Sequence, residues 1–153
     1  MGYANTQRPA AAGGSAVYES TVYVKGGADA SGTASLASGG FPLEIYHNET
    51  GVSRTVAGID VIVAGELTAD NTDSLSLTFY LYEEDTSIAE LGALSTTTIG
   101  AGGTGNWSGV EVFDTGIDDV VVAAGRSIRF ADIKNNAGVI SPPYSIRIRW
   151  VQP

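Results

Sequence analysis

Hydrophobic and polar residues alternate with a period of two along much of the chain. Leu75, Leu77, Phe79 and Leu81 share one phase, and Ser76, Thr78, Tyr80 and Tyr82 the other. That is the pattern of a strand with one face on a core. Tyr144, Ile146, Ile148 and Trp150 alternate in the same way with Ser145, Arg147, Arg149 and Val151. Further strands are expected over Val17, Val22–Val24, Leu43–Tyr46, Val56–Leu67, Trp107–Phe113, Val120–Ala123 and Ile128–Ile133. Turn signals separate them at Gly51, Asp70-Asn71, Gly116, Gly125, Asn135-Asn136 and Pro142-Pro143. The best helical candidate, Ser87 to Leu94, is short and ends in a Thr run, so it reads as a loop or a single helical turn. About eight or nine short strands predict an all-β chain folded as an antiparallel β-sandwich, jelly-roll-like.

Two stretches break the pattern. Residues 26–40, GGADASGTASLASGG, carry one large apolar side chain, Leu36, too little burial to offset the entropy of ordering them. Residues 1–15 are equally poor, yet VYESTVYVK over Val17–Lys25 alternates like a strand. Residues 1–40 are therefore expected to form an extended N-terminal arm, with the sandwich domain over 41–153. A 15-residue tether reaches roughly 20 Å as a flexible coil, far enough to meet a neighbouring subunit. Tyr3, Arg8, Tyr18 and Tyr23 are the expected partner contacts, because large side chains are rare there. On this reading the domain should stay folded without residues 1–25. Residues 95–109, STTTIGAGGTGNWSG, read as an exposed mobile loop. A faint echo between Gly58–Gly65 and Gly116–Gly125 fits either two related sheet-forming halves or two Val-rich strands that look alike.

Composition narrows the chemistry. The 153 residues include 20 Gly and no Cys, which removes disulfides, thiolate nucleophiles and cysteine-held metals. One histidine, His47, leaves no multi-histidine metal cage within a chain. Eight Lys and Arg against 17 Asp and Glu give a net charge of −9, so no attraction to nucleic acid or anionic membrane is expected. No apolar run is long enough for a membrane helix, and the start shows no basic segment followed by an apolar run, so no signal peptide is expected. The N-terminal myristoylation pattern at Gly2 and the Asn-X-Ser/Thr matches at Asn48 and Asn106 read as chance. Charge is segregated: 12 acids and no Lys or Arg lie between Arg54 and Arg126, then five basic residues and one acid follow from Arg126 on. Basic strands beside acidic ones would neutralise each other; the alternative is complementary patches between subunits.

Candidate sites are few. His47 has no Gly-X-Ser-X-Gly nucleophile to serve and reads as an exposed rim histidine. The Gly100–Gly105 run lacks the Lys-Ser/Thr ending of a phosphate loop. Glu83, Glu84, Asp85, Glu111 and Asp114 supply carboxylates of the kind a glycosidase pairs, but so many acids make some pair inevitable. Asp70-Asn71-Thr72-Asp73 resembles part of a calcium loop, yet Leu75 and Leu81 stand where an EF-hand needs Gly and Glu; a hairpin turn is expected instead. No catalytic residue and no cofactor is expected. Tyr80, Tyr82 or Trp107 could offer a sugar platform, with calcium near Asp70 and Asp73. That is the alternative reading: a carbohydrate-binding β-sandwich module, such as one on a phage tail or fibre. A third is a cellular β-rich assembly such as a surface layer.

The start MGYANTQRPAAAGG, the Gly/Ala/Ser arm and the ending AAGRSIRF…PPYSIRIRW together give the chain a resemblance to the head decoration or cement proteins of tailed phages. The resemblance spans the whole chain and is one of architecture and composition. It implies a structural protein made in the host cytoplasm and carried on the exterior of the virion capsid. It also implies a homo-trimer that bridges neighbouring copies of the major capsid protein against internal DNA pressure.

Overall fold

A computed structural model describes residues 4–8, 16–24, 27–28, 42–68, 71, 74–97, 103–135 and 140–151. Among them there is no helix. The strands are β1 (Ala4–Arg8), β2 (Val17–Val24), β3 (Gly27–Ala28), β4 (Leu43–His47), β5 (Arg54–Leu67) and β6 (Ser74–Glu83). They continue as β7 (Thr86–Ser95), β8 (Trp107–Asp114), β9 (Val121–Val122), β10 (Arg126–Asn135), β11 (Ile140–Ser141) and β12 (Tyr144–Val151). One sheet runs β1-β2-β12-β5-β8, with β9 beside β5, and a second runs β4-β10-β6-β7. All these pairs are antiparallel. The chain is thus an all-β sandwich, as its period-two pattern predicts.

The core lies between the two sheets. Leu75, Leu77, Phe79 and Leu81 of β6 and Tyr144, Ile146, Ile148 and Trp150 of β12 all face it and are buried. Phe79 sits opposite Phe130 in register, with ring centroids 6.1 Å apart. In β5 the inward phase changes along the strand. Ile59, Val61 and Val63 are buried, and so is Val56, because a register shift against β12 lets Ala57 go unpaired. A bulge of this kind shifts the alternation by one residue.

Several expectations are corrected. Ser87 to Leu94 belongs to strand β7, paired with β6. Two register shifts leave Ile88 and Leu91 without an opposite number, and residues 86–90 are all exposed at a sheet edge, so no alternation survives to be read. β5 and β6 lie in different sheets, so they are not the two arms of a hairpin. Asp70 and Asp73 themselves lie outside the described residues. The 95–109 stretch is anchored where it is described. Thr96 and Trp107 are buried, and the Leu75 N–H donates to Thr96 Oγ1 at 3.0 Å. The echo has no structural counterpart, since 58–65 lies within β5 while 116–125 is mostly loop around the two-residue β9. That leaves Val120 and Ala123 outside the expected strand.

The largest correction concerns the arm. β2 pairs with β12 along its whole length, from Val24 opposite Tyr144 to Val17 opposite Val151. Val22 and Val24 are buried in the core. Residues 17–24 are therefore a strand of the sandwich, and the boundary at residue 40 does not separate them from it. β1 pairs with β2 in turn. Residues 29–40 of the expected tether lie outside the described residues.

Two buried polar groups fix particular corners. Asn48 is fully buried; its Nδ2 donates to the Val52 and Val122 carbonyls, and its Oδ1 accepts from Thr50 N and Oγ1. That closed set keeps Asn48 from carrying a glycan. Across the core, Tyr144 Oη donates to Asp132 Oδ2 at 2.9 Å, and both residues are fully buried. Burial, and then the Asp132 carboxylate, push the Tyr144 phenol well above its ordinary value. Tyr144 is thus expected to resist ionisation in alkali while the protein stays folded. Because the folded pKa is raised, this contribution is complete below pH about 10 and is lost as pH rises beyond it, where the unfolded chain ionises first. Absorbance at 295 nm should show the Tyr144 phenol ionising only with unfolding. Replacing Tyr144 with Phe should abolish that step.

Candidate interaction surface

Cross-strand register builds the outer face of the larger sheet. Tyr23, Ser145, Ile62 and Val112 line up across β2, β12, β5 and β8, and Ala64 and Val110 form the next row on β5 and β8. Tyr23 is 55% exposed, Val112 56% and Val110 83%. This is an apolar band on a solvent face of an otherwise acidic chain, and such bands mark contact surfaces.

Beside it runs a charged row, Thr21, Arg147, Asp60 and Asp114, in the same register. Asp60 points outward yet is 4% exposed, because Arg147 reaches it at 2.8 Å and Arg149 at 3.3 Å. Gly58 makes room for this: a Cβ there would collide with the Arg149 guanidinium. On the other sheet Arg126 meets Glu83 at 3.4 Å, while Arg129 meets Asp85 at 3.5 Å and Glu44 at 3.8 Å. The segregated charges of the sequence are thus neighbours in the fold, and much of the cationic charge is used within the chain.

The expected contact residues separate. Tyr23 stands on the apolar band. Tyr18 points inward and stacks on Trp150 with centroids 6.2 Å apart, and the Arg54 guanidinium lies over its ring at 5.7 Å from the centroid. Tyr18 is therefore engaged by its own domain. Arg8 lies in β1, where only the backbone is described, and Tyr3 lies outside the described residues.

The sugar platform loses its residues. Tyr82 is 8% exposed, with the Arg129 guanidinium 4.5 Å from its ring centroid. Tyr80 meets it edge-on at 87°, so the two rings form no flat stacking surface. Trp107 is buried and donates Nε1–H to Thr104 Oγ1 at 3.0 Å. The carboxylates are spread over separate structural tasks: Glu83 and Asp85 hold arginines, Glu111 holds Ser108, and Asp114 caps the Gly116 N–H. His47 is exposed at the rim, as expected, with Glu44 at 3.3 Å. Among the described residues no three His, Asp or Glu side chains gather as a metal-binding group.

Val110 and Val112 were not legible as surface residues. In WSGVEVFD both phases hold apolar side chains, and only the pairing with β5 decides that Trp107 and Phe113 face inward.

No family model matches the chain, and no curated protein matches it. Among solved structures, a chain of the cyanophage Pam1 capsid asymmetric unit is similar, with a TM-score of 0.51 at 16% identity, over 98% of this chain and 94% of that one. A structure of infectious bursal disease virus, Gx strain, gives a TM-score of 0.32 at 12% identity, over 97% of this chain and 37% of the other. The VP2 subviral particle of the same virus gives 0.30 at 13%, over 88% and 33%. The first of these shares this chain's fold nearly end to end.

Proposed function

We propose that the chain is a non-enzymatic structural protein of a phage virion, a decoration or cement protein that binds the assembled head and stabilises it. The observation that supports this most is the likeness of fold, over almost the full length of both chains, to a chain of a phage capsid asymmetric unit. The chain's own strand order supports the same reading. With the eight sandwich strands β2, β4, β5, β6, β7, β8, β10 and β12 counted from one to eight, the sheets read 1-8-3-6 and 2-7-4-5. That is the order of a jelly roll, an architecture used by viral capsid proteins.

The partner on this reading is the major capsid protein, with the chain docked as a homo-trimer on the capsid exterior. Tyr23 and the apolar band beside it supply the contact, with Tyr3 and Arg8 reaching from the N-terminal segment. A large aromatic in the middle of such a contact commonly carries much of the binding energy. Replacing Tyr23 with Ala is expected to weaken binding to purified heads by tenfold or more, about 1.4 kcal/mol or above, with thermal stability unchanged. Co-sedimentation of the chain with heads lacking it reads this directly. Saturable binding and a raised temperature of head rupture are the expected results. Absence of binding by the unaltered chain would overturn the role.

A further inference from the structure

We propose that two copies of this chain join edge to edge through β8, antiparallel about a two-fold axis at Val110. The β8 strand ends its sheet, and among the described residues nothing pairs with its outer side. The hydrogen-bond phase is fixed at both ends. Thr115 N–H donates to Ile59 carbonyl, so the odd-numbered residues bond β5, while Ser108 N–H turns away from β5 to the Glu111 carboxylate. Val110 and Val112 therefore direct their backbone N–H and C=O groups outward at the edge. They are also the exposed apolar residues of the strand, at 83% and 56%. An apolar edge with open backbone groups is a template for another strand.

The sequence of the edge selects the second copy as its occupant. Residues directly opposite in an antiparallel pair point to the same face, so a two-fold axis must pass beside a residue rather than between two. Axes at Val110 and at Glu111 give the greatest overlap of Trp107–Asp114 with itself. The axis at Glu111 sets that carboxylate against its own copy, which is unfavourable. The axis at Val110 sets Val110 against Val110, Val112 against Ser108, and Glu111 against Gly109, which has no side chain to repel it. It also sets Phe113 against Trp107 and Asp114 against Asn106. No acid faces an acid. About six backbone hydrogen bonds form, and Ser108 exchanges its Glu111 contact for the Val112 carbonyl of the second copy. Glu111 thus acts as a removable guard on the edge. Because β8 occupies one edge of one sheet, the link leaves other surfaces available to a trimer.

The chain contains no Cys, so single cysteines report the register cleanly. Opposite Cα atoms in a hydrogen-bonded pair stand about 5.5 Å apart, within disulfide reach. With the axis at Val110, the two copies of Val112 stand about 13 Å apart along the strands. Val110→Cys, mildly oxidised as the purified full chain, should form a covalent dimer at least tenfold faster than Val112→Cys. Adding Glu111→Ala should raise that rate, and Val110→Lys should leave a monomer in sedimentation velocity with an unaltered melting curve. Equal or faster crosslinking at position 112, or none at 110, overturns the proposal. The purified chain suffices for this test, so its failure is distinct from a failure to bind heads.

Discussion

Removal of residues 1–24 is expected to unfold the protein. Those residues include β2, whose loss would strip β12 of the neighbour it pairs with over Val17–Val24. Val22 and Val24 are 2% and 4% exposed, and burying each stabilises the fold by about 1.5–3 kcal/mol. Their loss also bares one side of Ile146, Ile148 and Trp150 and removes the stack of Tyr18 on Trp150. Together with the lost ladder, the cost exceeds about 5 kcal/mol, the lower end of ordinary domain stability. Far-ultraviolet circular dichroism of the truncated chain should show neither a β-sheet spectrum nor a cooperative melt. A truncated chain that still melts cooperatively would mean that β12 can end its sheet and that the core closes without Val22 and Val24.

Phe79→Ala should follow in size, at about 3–5 kcal/mol, the sum of lost burial and the cavity left behind. Phe79 is 0% exposed and lies against Phe130 from the neighbouring strand, so surrounding side chains have little freedom to fill the space. For a chain of this length the melting temperature should fall by on the order of 10 °C. Val110→Ala is the natural control. An exposed side chain of that kind changes stability by within about 0.5 kcal/mol. Equal effects of the two substitutions in urea denaturation would contradict the inward assignment of Phe79.

The contrast between these two residues shows how far the sequence could be read. In β6 and β12 every apolar residue of one phase goes to the core, so their faces are plain from alternation alone. β7 hides because Ile88 and Leu91 are extra residues in its ladder, and each shifts the phase. β8 is expected as a strand, but its inward face hides because its two phases are both apolar, and the choice between them is made by β5, about 40 residues or more earlier in the chain. The separate arm was inferred from the poverty of residues 26–40, yet what assigns β2 to the sandwich is its partner β12, at the other end of the sequence.

The surface was less legible still, because distant residues cover or expose it. Tyr82 has the alternation of an outward residue, and only Arg129 from β10 shows why it is buried. Asp60 reads as one acid among many until Arg147 and Arg149 close over it. Of the expected contact residues whose side chains are described, Tyr23 is the one left exposed on the apolar band. Its row is completed by Ile62 and Val112, which single-strand patterns could not bring together.

The proposed virion role is most directly tested by a cryo-electron microscopy reconstruction of the intact particle that carries this chain. Density for the sandwich should appear on the outer capsid surface at symmetry-related positions, in contact with the major capsid protein, with the Tyr23 face at that contact. A particle whose capsid surface lacks this density, or that carries the chain elsewhere, would contradict it.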